Sequence, residues 1–195
     1  RHSFPTRRSS DLFGYIIERV ADAVVRMVWL VGSRKESRQV QVREIAAHDW
    51  VALCCLADRI DAAAVISASF GYRFPVEVIS RQKVLLNLHP APLPGWRGAD
   101  PIYWMIRKRE RVFGVTLHHV AERFDEGAVY FSASAFPRIR CLRGFVELSL
   151  SKVIRTHLGE WVSMILREGV VPKPQECGTY WPLPTRKNQR RLLKG

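Results

Sequence analysis

The stretch Leu86–Gly98 reads LNLHPAPLPGWRG, and its first four residues decide how the chain is organised. Apolar Val84, Leu85 and Leu86 lead into it, so it starts as the end of a buried strand. Side chains alternate along a strand, which turns Asn87 and His89 to the same side. Pro90, Pro92 and Pro94 then stiffen the following loop. An amide able to donate to a developing oxyanion and an imidazole able to exchange a proton near neutral pH therefore share one face. A lone histidine at a strand end usually makes a structural hydrogen bond. The Asn-x-His pair inside a proline frame points instead to a pre-organised site.

Outward from this stretch the pattern alternates helix and strand. Ile16, Ile17, Val20, Ala21 and Val24 mark one face of a helix, and RQVQVREIAAHDW reads as a second amphipathic helix. VVRMVWLVGS, VALCC, AAAVISAS and KVLLNLH read as short, solidly apolar strands. Asp100-Pro101 is a helix start, with Asp as N-cap and Pro at the first helical position. FGVTLHHVA and AVYFSASAF give two further strands around an Asp-Glu-Gly turn at Asp125–Gly127. The longest helix is expected over Gly144–Glu168, with Gly169 as its stop and Leu150, Ile154, Leu158, Trp161 and Ile165 on its buried stripe. The expectation is an α/β fold with a mostly parallel sheet covered on both faces.

Ligands bind such sheets at the carboxyl ends of the strands, where Asn87 and His89 lie. Asp125, in RFDEG after a strand, is the third candidate. A carboxylate near His89 would stabilise the protonated ring and set its orientation, although Asp-x-Gly by itself is also a common turn. Arg97 fits either a phosphate-binding or a packing role. His118 and His119 face opposite ways, so at most one faces the site. Tyr103 and Trp104 sit at helical spacing and are expected in the core.

A length of 195 residues suits one domain with a substantial core. No apolar run approaches the length of a membrane span. The formal charge of +13 at pH 7 would attract polyanions such as RNA or phosphorylated small molecules, or it is simply a solvated surface. Cys54, Cys55, Cys141 and Cys177 show no metal-ligand spacing and are expected to be buried free thiols in a cytoplasmic protein, with no metal bound. His2–Leu12, HSFPTRRSSDL, resembles one reading frame of a sequencing adapter. Residues 1–12 are therefore set apart as a non-native scar, residues 13–184 taken as the catalytic domain, and 185–195 as a basic tail.

LNLHPAPLPGWRGADPIYWMI followed by FGVTLHHVAERFDEGAVYF resembles the formyltransferases that use 10-formyltetrahydrofolate. The matching residues include Asn87, His89, Pro90, Leu93, Pro94, Arg97, Gly98, Thr116, Asp125 and Gly127. The resemblance implies a Rossmann-like three-layer fold, here lacking its first strand. It also implies formyl transfer to a primary amine, with Asn87, His89 and Asp125 catalytic. The loop SFGYRFP looks like the one that lies along the folate, which assigns Phe70, Gly71, Tyr72, Arg73 and Phe74 to co-substrate binding. Trp96 and Arg97 would meet the acceptor: a small amine, a nucleotide-linked amino sugar or initiator methionyl-tRNA. Ala91-Pro92 replaces the family's Ser-Leu and Trp96 its Tyr, changes that touch acceptor fit. Two rivals stand beside this reading: a formyltetrahydrofolate hydrolase using the same residues, and a non-catalytic basic RNA-binding module that keeps the fold.

Overall fold

The structure, a computed structural model, describes residues 27–32, 62–68, 73–81 and 84–185. The helices expected before Met27 and over 38–50, the strand at 51–55, the segment 1–12 and the tail from 186 lie outside the described residues. Among the described residues five strands form one sheet: β1 (Met27–Gly32), β2 (Ala62–Ala68), β3 (Leu85–His89), β5 (Phe113–His119) and β6 (Val129–Ala135), in the order β1-β2-β3-β5-β6. A separate two-stranded pair joins β4 (Arg97–Gly98) to β7 (Tyr180–Trp181). The helices among the described residues are α1 (Val76–Arg81), α2 (Pro101–Arg107) and α3 (Arg143–Glu168).

The α/β, Rossmann-like class stands, with strand pairing more mixed than the apolar runs imply. β2 and β3 run parallel, joined through α1. β1–β2, β3–β5 and β5–β6 are antiparallel. For β5 and β6 the reason is the short turn between them, which leaves no length for a crossover.

The strands use their two faces differently. Ile66 and Ala68 of β2, Leu86 and Leu88 of β3, and Val115 and Leu117 of β5 enter one core with the apolar stripe of α3. Trp161 of α3 stacks on Phe131 of β6 at 5.5 Å between ring centroids. The alternate residues of β2, β3 and β5 carry the polar groups Ser67, Asn87, His89, Thr116 and His118 to the other side. The sequence LLNLH therefore builds core and site at once.

Two helix boundaries follow their expected chemistry. Asp100 accepts a hydrogen bond from the Tyr103 N–H at the start of α2, with Pro101 at the first helical position. α3 ends on Gly169 in the left-handed region, at φ 64°. Tyr103 is buried, whereas Trp104 is only half-buried. Cys141 and Cys177 are free thiols as expected, but both are exposed, because each falls in a loop and not on a packed element.

Gly98 holds φ at +102°, and a Cβ there would overlap the Trp181 carbonyl across the β4–β7 pair. Gly98→Ala is expected to destabilise the chain by on the order of 3 kcal/mol, from backbone strain plus the displaced β7. Urea unfolding of the variant against wild type measures it.

Candidate active site

A polar row crosses the sheet at one level. In register, Ser67 on β2 is the partner of Asn87 on β3, and Asn87 is the partner of His118 on β5. Residues directly opposite across a ladder share a face, so all three side chains meet. Ser67 Oγ donates to Asn87 Oδ1 at 2.9 Å. His118 Nδ1 lies 2.7 Å from the His119 carbonyl oxygen, an acceptor only, so Nδ1 carries the proton. His118 Nε2 is then the acceptor for Asn87 Nδ2 at 3.1 Å. These two bonds fix which way the Asn87 amide points: its oxygen towards β2, its NH2 towards β5 and Asp125.

His89 lies two residues on, at the end of β3. Its Nε2 donates to the Trp96 carbonyl at 2.7 Å, and its Nδ1 stands 3.3 Å from Asp125 Oδ1. Asp125 reaches this position from the β5–β6 turn with a left-handed backbone, φ 58°. Its Oδ2 accepts the Gly98 N–H at 2.8 Å, and Oδ1 is 3.4 Å from Asn87 Nδ2 and 3.6 Å from His118 Nε2. Asn87, His89 and Asp125 therefore come together as the sequence pattern anticipates. His118 is the one of the two adjacent histidines that faces the site; the His119 ring donates to the Val120 carbonyl. His89, His118 and Asp125 are buried, and Asn87 is half-buried.

Burial shapes the protonation of the group. It lowers the pKa of His89 below its ordinary 6.5, outweighing the raising effect of Asp125; the adjacent His118 also lowers it. Burial alone would raise the Asp125 carboxyl, but the facing His89, then His118 and the Gly98 N–H, bring it below its ordinary 3.8. The ground state is a neutral His89 beside an ionised Asp125. With the ring proton on Nε2, the Nδ1 lone pair looks at a carboxylate oxygen. A proton taken up at Nδ1 would turn that opposed pair into a charge-assisted hydrogen bond. The site can thus accept a proton, and Asn87 can donate to a carbonyl oxygen by giving up its long 3.4 Å contact to Asp125.

The frame around these groups is closed by side chains. Thr116 Oγ1 donates to the Ala91 carbonyl at 2.8 Å and accepts the Leu93 N–H at 3.2 Å, pinning the proline loop. Arg97 is buried: Nε and Nη2 both donate to Gln175 Oε1, at 3.1 and 2.9 Å, and Nη2 also donates to the Glu176 carbonyl. Of the two roles its sequence position allows, these are the contacts of packing. Trp96 stacks on Trp181 at 5.0 Å, and Trp181 also meets Trp104 at 5.2 Å. Phe70, Gly71 and Tyr72 lie outside the described residues. Arg73 is exposed with its guanidinium 5.3 Å above the Phe124 ring, next to Asp125, and Phe74 is buried. The sequence signals missed Ser67 and Gln175. Only the strand register reveals the first, and nothing local marks the second.

Comparison with known proteins gives a consistent picture. A sequence model of the formyl transferase family matches residues 33–136. The chain is 31% identical over 119 residues to methionyl-tRNA formyltransferase of Lactobacillus delbrueckii subsp. bulgaricus, an alignment covering 60% of this chain and 38% of that relative. HypX from Aquifex aeolicus, solved in complex with tetrahydrofolic acid, superposes with a TM-score of 0.61 at 25% identity, covering 70% of this chain and 24% of that one. A sugar N-formyltransferase from Shewanella superposes at 0.60 with 20% identity, over 77% of this chain and 65% of that one, a likeness of fold. The chain thus spans well under half the length of the first two proteins. Among the described residues no helix is long and apolar enough to cross a membrane.

The lowered His89 pKa fixes a pH dependence of stability. The unfolded chain takes up a proton near 6.5 that the folded chain resists, so stability is fully present above that pH and falls as pH drops from it through the folded value. Asp125 adds a second loss only well into acid, as pH falls below its ordinary 3.8. Urea midpoints across pH 7 to 5 (about two units) are expected to decline for wild type and to flatten for His89→Gln.

Proposed function

The chain belongs to the formyl transferase family, and on that premise we propose that it moves a formyl group from 10-formyltetrahydrofolate to an acceptor primary amine. The observation that carries this reading is the convergence of Asn87, His89 and Asp125, ordered by His118, on one face at the end of β3. An amide donor, a neutral imidazole and a carboxylate are the groups that a carbonyl transfer between nitrogens requires. One polarises the carbonyl oxygen, and the other two hold the proton in transit.

The bound donor supplies an activated formyl carbonyl. The donor set fits it: Asn87 is the half-buried member of the group and carries the N–H bond most easily given up. As the amine adds to the formyl carbon, Asn87 Nδ2 donates to the oxygen on which charge develops. The ammonium proton passes to the His89–Asp125 pair and is held between Nδ1 and Oδ1, where two acceptors otherwise oppose each other. The same proton then returns to the departing folate nitrogen as its bond to the formyl carbon breaks. Trp96 supports the cycle through its carbonyl, which anchors the far side of the His89 ring.

The co-substrate loop assignment, Phe70 to Phe74, belongs to this proposal. Its described end supports it by reaching Phe124, the neighbour of Asp125. Acceptor amines to try are those of methionyl-tRNA and of amino sugars, since the similar proteins include a methionyl-tRNA formyltransferase and a sugar N-formyltransferase. The Ala91-Pro92 pair is part of the acceptor question, since Pro92 packs close against Gly114 and shapes the loop.

Incubation of the chain with 10-formyltetrahydrofolate and each acceptor, followed by mass spectrometry of the acceptor, tests the reading. Formylated amine is expected, with Asn87→Ala lowering kcat by about 10²–10³ and Asp125→Asn by about 10²–10⁴. Release of formate without any formylated acceptor would replace transfer by hydrolysis. Absence of both products would remove the proposal.

A further inference from the structure

We propose that Gln175 is a positioning residue of this site, holding Asp125 in place from a segment fifty residues further along the chain. The inference rests on the formyl-transfer reading for its kinetic consequence, but not for its geometry. Gln175 Nε2 donates one hydrogen to the Asp125 carbonyl at 2.9 Å and the other to the Gly127 carbonyl at 2.6 Å. Its Oε1 accepts twice from the buried Arg97. Both donors and both acceptor sites of the amide are thus engaged, and a planar group so held cannot turn.

The grip falls where the chain most needs one. Asp125 is in the left-handed region at φ 58°, a conformation that is unfavourable for a non-glycine residue. Gln175 clamps the carbonyls on either side of Glu126, and Gly127 has no room for a Cβ beneath the His119 carbonyl. The carboxylate end of the same residue is held by the Gly98 N–H, and Gly98 follows Arg97, the partner of Gln175. The contacts close a ring: Arg97, Gly98, Asp125, Gln175 and back to Arg97. The segment carrying Gln175 is itself fastened at both ends. Lys173 exchanges two hydrogen bonds with Val129 on β6, and β7 pairs with β4. Asp125 therefore meets His89 at 3.3 Å because a distant amide holds its turn.

Two variants separate positioning from mere packing. Gln175→Ala removes the whole clamp. Gln175→Glu keeps oxygens facing Arg97 while removing both donors to the turn. The direct readout is the titration of the His89 ring, followed by NMR in the 195-residue chain, where the titratable groups facing it are Asp125 and His118. Displacement of Asp125 withdraws a charge that favours the protonated ring, so the midpoint is expected to move further down in both variants, with folding retained. In the transfer assay kcat is expected to fall by about 10–100-fold with KM for the formyl donor little changed. An unchanged His89 midpoint in folded variants overturns the inference, as does Gln175→Glu behaving like wild type. Unfolding of both variants overturns it in favour of a purely structural role. If wild type transfers no formyl group while the His89 midpoint moves as expected, the positioning stands and the formyl-transfer reading fails.

Discussion

The hydrogen bond from the Gly98 N–H to Asp125 Oδ2, 2.8 Å long and buried, joins two parts of the chain that would otherwise have no reason to meet. A buried carboxylate is costly unless its oxygens are satisfied. Here no lysine or arginine does so among the described contacts; the Gly98 N–H donates to one oxygen and the Asn87 amide approaches the other. The consequences spread outward. Gly98 must donate from a strand edge while pressed against β7, which leaves no room for a side chain. The proline loop must deliver that amide from β3 without slack, and Thr116 ties the loop to β5 to ensure it. The carboxylate anchored in this way has its other oxygen left to face His89, Asn87 and His118.

The same strands supply the core and the chemistry, and the period of two makes this possible. Leu86 and Leu88 bury against α3 while Asn87 and His89 between and beyond them turn away. A shift of one residue in the β3 register would exchange the two sets, putting an amide and an imidazole into hydrocarbon and two leucines into the site. The apolar face thereby holds the polar face in register. Polar groups at this depth need their partners to be unique, and the Ser67–Asn87–His118 row provides them by strand pairing, with no loop involved.

What could be read in the sequence was what depends on local period. Asn87 and His89 were legible because two residues on one strand need no knowledge of any other element. The opposed facings of His118 and His119 were legible for the same reason, but choosing between them required the β3–β5 register, which pairs Asn87 with His118. Asp125 was legible as a turn residue, and the family resemblance gave it a partner. Ser67 and Gln175 stand 20 and 50 residues from the groups they hold. A serine ending an apolar run and a glutamine between a proline and a glutamate carry no mark of such contacts. Arg97 left two roles open because a guanidinium binds an anion and an amide oxygen with the same fork; burial beside Gln175 is a tertiary fact. Strand direction was likewise illegible, since a solid apolar run looks the same from either end. The family comparison covers 33–136 and so reaches Asp125 but stops short of Gln175.

The pairing of β4 with β7 brings together residues about 80 positions apart, and it has a bearing on how the chain acquires its site as it is made. The ladder from β2 to β6 is complete once residue 135 is available, and with it the row that orients Asn87. Residues made first can associate first, and in chain order the strands come first, then α3 that covers their apolar face, then the clamp on the turn at Asp125. The stacked Trp96 and Trp181 rings and the Trp181 indole bond to the Gly95 carbonyl form only when the last of these segments arrives. The ring that runs from Arg97 through Asp125 to Gln175 is therefore completed by the segment made last of its members.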